Sequence, residues 1–375
     1  MQFAGDAMLV LWPDDPDMPI EERVQRAGQC ALEIQTNLHK AELQDGVTLS
    51  VKIGIGVGEV SVLHLGGILR RMEYVAVGEP LVQAFAAEHH AEAGGDVILS
   101  PRAWSLVNTV FEADLLDDGA ARIARDGKGR CKKPLIKKSV VKMRGSRLED
   151  AGDEVERRLR NYVAGAILPW IDPDVPDKEV WGSDLRNVTV LFVNLGLKDM
   201  DMLAASKYDD AMVKMHEVLR AAQSAVYQYE GAVNKCLNDD KGSTMIAVFG
   251  LPPLSHEDDA TRGVLCGLAI CKSLWSLGLI ASVGITTGVV FCGVVGSTTR
   301  KEYTILGDTV NLSARLMQRA GVIGGGVLCD LQIRRAASQG LAFQELDTIT
   351  VKGKSMPIRV FRPYPSGLMR HLPPR

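Results

Sequence analysis

The sequence Glu302-Tyr303-Thr304-Ile305-Leu306-Gly307 repeats the pattern of Glu73-Tyr74-Val75-Ala76-Val77-Gly78, which lies 229 residues earlier. The apolar segment Val97-Ile98-Leu99 matches Val327-Leu328 at the same offset. Matched segments that keep one order and one offset indicate an internal repeat. The sequence therefore predicts two homologous halves.

Each half combines runs of β-branched residues with amphipathic helices, which predicts an α+β fold. Both early helices follow the 3.6-residue period, and Ser255 or His256 is expected to cap the second of them. The predicted buried face of the first helix consists of Val24, Ala27, Ala31, Ile34 and Leu38, and that of the second of Ala260, Val264, Leu268, Cys271 and Trp275.

Length and composition limit the possible classes of protein. A chain of 375 residues, 46% of them apolar, can form two globular domains. The net charge of −3 gives no reason to expect binding to nucleic acid or to an anionic membrane, and no apolar run approaches the ~18 residues of a membrane span. The seven cysteines form no CxxC pair, which favours a reducing compartment. We therefore expect a cytoplasmic protein without a transmembrane segment.

Composition changes along the chain predict its domain boundaries. The first half is assigned to residues 1–115, a linker to 116–183, the second half to 184–362 and a tail to 363–375. The linker contains ten Lys or Arg residues between Arg125 and Arg147. These could contact phosphates, but a solvated linker is the favoured interpretation.

Asn311 and Arg315 are four residues apart on a helix that begins after Gly307, so they share one helix face. An amide beside a guanidinium could hold a ribose and a phosphate, because arginine presents a rigid fork of donors to phosphate oxygens. Taken alone, the pair would also fit a solvated helix surface.

Several motifs together resemble those of class III nucleotide cyclases, and are most similar to the two-domain soluble, bicarbonate-responsive adenylyl cyclases. The motifs are Phe3-Ala4-Gly5-Asp6-Ala7, Val51-Lys52-Ile53-Gly54, Asn234-Lys235, and the segment from Glu302 to Arg315. The resemblance implies that each half has a ferredoxin-like βαββαβ core and that the halves pair as a pseudo-dimer with one active site. It also implies conversion of ATP to 3′,5′-cyclic AMP and pyrophosphate with two Mg²⁺ ions, for which Mn²⁺ could substitute.

The resemblance also implies roles for individual residues. Lys235 and Thr304 would read adenine, Asn311 would orient the ribose, Arg315 would stabilise the α-phosphate, Lys52 would lie near the terminal phosphates, and Asp6 would bind metal. The alternatives are a merely exposed strand lysine at Lys52 and a solvated turn aspartate at Asp6.

The two halves are not equivalent at these positions. Val75, Val82 and Ala86 of the first half stand where the second half has Thr304, Asn311 and Arg315, and Asn194 stands where a metal aspartate is expected. A single active site follows from this asymmetry. Asp239 matches the other metal position, but without an aspartate at 194 a structural role is favoured.

Two departures from the family pattern remain. The first metal aspartate would precede Met1, so the first half is expected to be incomplete at its N-terminus and this chain alone to be inactive. Gln2 and Phe85 occupy the positions of the cationic residues that hold bicarbonate in the resembling enzymes, so activation by that route is not expected. The rival hypothesis is a non-catalytic, nucleotide-binding regulatory module derived from a cyclase.

Overall fold

The structure is a computed structural model, and it describes residues 2–4, 7–42, 46, 48–132, 152–170, 183–198, 203–204, 207–239, 242–296, 301–337, 340–350 and 357–366. Asp6 and the 351–356 segment lie outside the described residues. By packing, the chain divides into two compact units, one of residues 1–62 and 76–149 and one of residues 63–75 and 150–375.

The first unit is built around a five-stranded sheet in which β5 and β8 run parallel and β10 joins β8 antiparallel. The elements of the chain up to residue 129 are β1 (Gln2–Ala4), β2 (Ala7–Leu9), α1 (Ile20–Leu38), β3 (Ala41–Glu42), β4 (Thr48–Leu49), β5 (Ile53–Ile55), β6 (Ser61–Gly66), β7 (Met72–Val77), α2 (Glu79–His89), β8 (Val97–Leu99), α3 (Pro101–Val107), β9 (Asp114–Leu115), β10 (Ala121–Arg125) and β11 (Lys128–Gly129). The strands β10 and β11 fall in the segment assigned above to a linker and extend this sheet.

The core of the first unit confirms most of the predicted face of α1. Val24, Ala27 and Ala31 are buried, whereas Leu38 at the end of the helix is exposed. Val24 and Ala31 pack in a cluster with Phe111, which is fully buried. The 3.6-residue pattern therefore identifies the buried stripe but not the point at which the helix leaves the core.

The second unit contains an eight-stranded sheet with the strand order β13-β14-β12-β15-β17-β19-β18, and β16 pairs with β15. Its elements are α4 (Asp153–Arg160), β12 (Asp184–Asn194), α5 (Asp209–Gln228), β13 (Ala232–Asp239), β14 (Gly242–Phe249), α6 (Asp259–Ser276), β15 (Ser282–Gly296), β16 (Lys301–Leu306), α7 (Asp308–Val322), β17 (Gly326–Cys329), α8 (Leu331–Ala336), β18 (Leu341–Ile349) and β19 (Ile358–Pro365). Two 3₁₀ turns span Ile68–Arg70 and Gly165–Trp170. The α+β prediction is confirmed.

Helix α6 differs from its prediction at both ends. It begins at Asp259 with Asp258 as the preceding cap residue, so the expected cap at Ser255 or His256 is wrong. His256 instead contacts Asp259 and Glu230, with its Nε2 atom 3.2 Å from Glu230 Oε2. At the other end Trp275 is 70% exposed, because the buried stripe of α6 runs through Gly263 and Gly267, which approach the sheet closely.

A glycine seats a helix directly on a strand in each half. A Cβ atom on Gly284 of β15 would lie 1.9 Å from the carbonyl oxygen of Ser313 on α7. A Cβ atom on Gly54 of β5 would lie 2.0 Å from the carbonyl oxygen of Ala84 on α2. Only glycine permits such an approach of backbone to backbone. The repeat detected in the sequence therefore corresponds to a repeated strand–helix contact.

The β6–β7 hairpin packs within the second unit, although its sequence belongs to the first half. The amide of Gln223 on α5 donates to the carbonyl of Arg71, and Gly66 N lies 3.4 Å from His216 Nδ1. On the α4 side, the Tyr162 hydroxyl lies 2.9 Å from His64 Nδ1, and Met72 N donates to Asn161 O. Residues 63–75 are therefore held by contacts to both α5 and the segment after α4.

No helix among the described residues is long and apolar enough to cross a membrane.

Asp330 caps α8 and provides a test of how burial affects stability. Its Oδ1 atom accepts a hydrogen bond from Ile333 N at 3.0 Å, and burial raises the pKa of the carboxyl from 3.8 to about 6. The folded state therefore binds the proton more tightly than the unfolded chain, so the free energy of unfolding falls as pH rises through this interval. Asp330→Asn keeps a capping side chain and removes the titration. Above pH 6 we expect the free energy of unfolding of the variant to be roughly 1 to 3 kcal/mol higher than that of the unchanged protein, and not to decrease as pH rises. Urea unfolding from pH 4 to 8 measures this. An equally steep fall in the variant would contradict the assignment.

Candidate functional site

Three elements of the second unit carry the residues predicted to form the site. Strand β13 carries Lys235, β16 carries Thr304, and α7 carries Asn311 and Arg315. Lys235 is 7% exposed and Thr304 is 4% exposed, so both polar side chains are buried. Strand β16 ends at Leu306 and α7 begins at Asp308, so one short connection determines where both elements lie relative to each other.

The Lys235 ammonium is bound by Glu302, a residue that the sequence analysis did not assign to the site. Lys235 Nζ lies 2.7 Å from Glu302 Oε1, and both side chains are largely buried. Charge-assisted hydrogen bonds of this kind are stronger than neutral ones and constrain the direction of the ammonium. Glu302 and Thr304 are two residues apart on β16 and therefore lie on the same face of that strand. This is the face from which Glu302 binds Lys235.

The position of Lys235 depends on an irregularity in β13. The strand pairs Val233 with Ala247 and Lys235 with Ile246, so one extra residue is inserted between them. Ile246 also stands opposite Phe192 of β12, which stands opposite Gly284 of β15. Lys235 therefore projects from the sheet face on which α7 packs at Gly284.

Helix α7 holds Asn311 and Arg315 at the surface. Thr286 Oγ1 donates a hydrogen bond to Thr309 O at 2.8 Å and, with the contact at Gly284, fixes the first turns of the helix on β15. Asn311 and Arg315 are both exposed, and the Arg315 guanidinium has a weak contact of 3.4 Å to Gln318. The arginine is therefore available to an anion in solvent.

Two predicted site residues belong to the other unit or lie outside the described residues. Lys52 is exposed and donates from Nζ to the carbonyl of Ala91 at 2.7 Å, in the first unit. Asp6 lies outside the described residues. The structure thus brings Lys235, Glu302 and Thr304 together in the second unit and does not test Asp6.

Asn194, at the position of the expected metal aspartate in the second half, supports a turn. Its Oδ1 atom accepts a hydrogen bond from Gly196 N at 2.8 Å at the end of β12. The side chain of Asp239 lies outside the described part of the chain. Within the described residues, no group of three or more His, Cys, Asp or Glu side chains is arranged to hold a metal ion.

A second buried ion pair occupies the matching positions of the β6–β7 hairpin. Glu73, the repeat partner of Glu302, contacts Arg71 Nη2 through Oε1 at 2.7 Å. Burial raises the pKa of the Glu73 carboxyl to about 7, against the opposing effect of the Arg71 guanidinium. Burial also raises the pKa of the nearby Cys236 thiol, and the Glu73 carboxylate raises it further. The repeated Glu-Tyr motif was the sequence signal from which both glutamates could have been identified.

Comparisons with known proteins identify similar sequences and structures. A family model described as the adenylate and guanylate cyclase catalytic domain matches residues 184–362. Adenylate cyclase type 10 of Oryctolagus cuniculus is 29% identical over 398 residues, and that of Homo sapiens is 28% identical over 393 residues; each match covers 99% of this chain. The chain spans 22% of the length of these curated relatives. The crystal structure of the adenylyl cyclase CyaB from P. aeruginosa matches with a TM-score of 0.42 and 22% identity, over 49% of this chain and 96% of that one.

The Lys235–Glu302 pair should stabilise the fold as a unit. Lys235→Glu or Glu302→Lys alone would place like charges together in a buried site, and we expect each to lower the free energy of unfolding by roughly 3 to 5 kcal/mol. The double variant restores opposite charges and should recover most of this loss. Denaturant unfolding of the four proteins provides the double-mutant cycle. Losses that simply add in the double variant would show that the two side chains do not interact.

Proposed function

We propose that this chain is the catalytic region of an adenylyl cyclase, because a model of the adenylate and guanylate cyclase catalytic domain matches residues 184–362. The proposed reaction converts ATP to 3′,5′-cyclic AMP and pyrophosphate. The observation that supports it best is the buried group of Lys235, Glu302 and Thr304 on β13 and β16. The relatives that match along the chain are named adenylate cyclase type 10, which supports adenine as the base of the substrate.

The proposed preference for adenine follows from the chemistry of the two buried side chains. Adenine presents an acceptor at N1 and an amine at C6, which match the Lys235 ammonium and the Thr304 hydroxyl oxygen. Guanine presents a donor at N1 and an acceptor at C6, so the ammonium would face an N–H group. Buried polar groups left unpaired by the wrong base are costly, and such sites therefore discriminate strongly.

Asn311 and Arg315 are proposed to act on the ribose and the α-phosphate. The 3′-hydroxyl oxygen attacks the α-phosphorus, the bond from this phosphorus to the bridging oxygen breaks, and pyrophosphate leaves with the electron pair. The hydroxyl proton passes to solvent. Arg315 is exposed and would place its guanidinium against the charge that develops on the α-phosphate oxygens. Lys52, exposed in the first unit, remains a proposed contact for the terminal phosphates.

Class III cyclases are metal-dependent, and we propose Mg²⁺, with Mn²⁺ as a substitute and Asp6 as one ligand. Bound metal would lower the pKa of the attacking hydroxyl and neutralise phosphoryl charge. The described residues contain no group of three or more His, Cys, Asp or Glu side chains that could hold a metal ion, and the roles proposed for Lys235, Thr304, Asn311 and Arg315 rest on hydrogen bonding and charge. The pairing of the two halves around one active site, the domain boundaries and a cytoplasmic location also remain proposals.

Exchanging the base-reading residues should change the substrate. We expect Lys235→Glu with Thr304→Cys to shift the preference from ATP toward GTP only weakly, because the new carboxylate at position 235 would face the Glu302 carboxylate. Adding Glu302→Lys restores an ion pair and should complete the shift, by about tenfold or more in the ratio of kcat/KM values. Cyclic AMP and cyclic GMP production is measured with Mg²⁺ or Mn²⁺ for the three proteins, each in a version extended upstream to include the expected metal aspartate. Full ATP preference in the triple variant would refute the adenine-reading assignment.

Arg315→Ala is the companion variant for the chemical step. Removing one donor to developing charge typically costs on the order of 10² to 10³ in kcat, whereas the binding of ATP should change much less. If the protein binds ATP but neither it nor a version extended upstream to include the expected metal aspartate yields cyclic nucleotide, the regulatory-module hypothesis is favoured over the enzyme.

Bicarbonate should not stimulate this protein through the pocket that matches the second nucleotide site. Phe85 on α2 is half-buried and carries no charge, so it cannot supply the charge-assisted hydrogen bonds that an anion needs in a partly buried site. Titration of the cyclase activity with sodium bicarbonate at fixed pH, against sodium chloride, tests this. Saturable stimulation that Phe85→Ala abolishes would overturn the proposal.

A further inference from the structure

Asn234, beside Lys235 on β13, has a buried carboxamide for which the described part of the chain supplies no partner. Its side chain is 5% exposed, and neither Nδ2 nor Oδ1 forms a hydrogen bond with any residue that the structure describes. Buried amides are almost always hydrogen-bonded, because an unpaired one loses its interactions with water and gains nothing in return. A group with two donors and an acceptor is therefore buried among the described residues without a hydrogen bond to any of them.

The irregularity in β13 places this amide on the same sheet face as Lys235. Asn234 is the extra residue between Val233, which pairs with Ala247, and Lys235, which pairs with Ile246, and Cys236 follows opposite Met245. Ala247 stands opposite Leu191, which lies next to Gly263 of α6. Ala247, and Met245 two residues before it, therefore belong to the face covered by α6. In a regular strand two consecutive residues point to opposite faces. At the insertion Val233 and Cys236 both keep the α6 face, from which we place Asn234 together with Lys235 on the other face.

We propose that Asn234 is a third adenine-reading residue, which binds the N6 and N7 edge of the base. This inference rests on the function proposed above. A carboxamide pairs with adenine in a bidentate manner, with Nδ2 donating to N7 and Oδ1 accepting from the N6 amine. Thr304 would accept the other hydrogen of that amine, on the N1 side. With guanine, Oδ1 would face the O6 acceptor, so Asn234 would also disfavour GTP.

The competing interpretation is a structural amide that is paired with a buried water, and stability distinguishes the two. A structural Asn234 would lower the midpoint of thermal unfolding when it is replaced. An amide reserved for the base leaves an unpaired group in the free protein, so Asn234→Leu, of similar size, should leave the midpoint unchanged or raise it. Asn238→Ala is the matched control, because Asn238 lies on the same strand but on the face of Cys236.

The decisive measurement is the equilibrium binding of ATP, 7-deaza-ATP and GTP to the whole chain, which does not require turnover. The unchanged protein should bind 7-deaza-ATP about 5- to 100-fold more weakly than ATP, because N7 is missing. Asn234→Ala and Asn234→Leu should bind ATP that much more weakly and no longer distinguish it from 7-deaza-ATP. Asn238→Ala should keep the full discrimination.

The outcomes separate this inference from the proposed function. If the unchanged protein prefers ATP to GTP and Lys235→Ala removes that preference, the adenine site of the proposed function stands. Retention of the 7-deaza-ATP discrimination by both Asn234 variants would then overturn the role of Asn234 alone, as would an equal loss of affinity for all three nucleotides with a lowered unfolding midpoint. If the unchanged protein does not distinguish ATP from GTP, the adenine site itself is refuted.

Discussion

The direct contact between β15 and α7 at Gly284 is the constraint on which the geometry of the candidate site depends. Backbone atoms of Ser313 and Met317 occupy the space that any Cβ atom at this position would need. The helix consequently lies closer to the sheet than side chains would allow, and Thr286 adds a hydrogen bond to its first turn. Only Gly307 separates β16 from α7. The contact at Gly284 therefore constrains both Thr304 on the strand and Arg315 on the helix.

Electrostatics then determine the direction of the side chains within this frame. A buried lysine without a partner would be costly or would lose its charge. Glu302 supplies the opposite charge at 2.7 Å and leaves the ammonium oriented along one edge of the site. The pair is weak evidence for stability as such, since an apolar pair could pack as well, but it specifies one arrangement of polar groups. Asn234 has no such partner, since neither polar atom of its buried amide forms a hydrogen bond with a described residue.

The two copies of the repeat show how one motif serves two environments. Glu302 binds a lysine on β13, a strand with which β16 does not pair, whereas Glu73 binds Arg71 within its own hairpin, where burial raises the pKa of Glu73 to about 7. The hairpin is held against α5 by Gln223 and against the segment after α4 by Tyr162. The first copy has therefore become a packing element of the second unit, while the second copy keeps polar side chains in a site.

Patterns in the sequence were sufficient to predict the α+β class, which depends on residue spacing within single strands and helices, and the repeat, which depends on matched segments at one offset. Helical spacing pointed to Asn311 and Arg315 as candidates, and the resemblance to cyclase motifs added Lys235 and Thr304. Sequence patterns could not identify Glu302 as the partner of Lys235, since 67 residues separate the two and only the pairing of β16 with the sheet brings them together. Nor could they predict that Asn234 shares a face with Lys235. Alternation along β13 predicts the opposite, and the extra residue that reverses it is decided by the register with β14, a long-range property of the folded sheet.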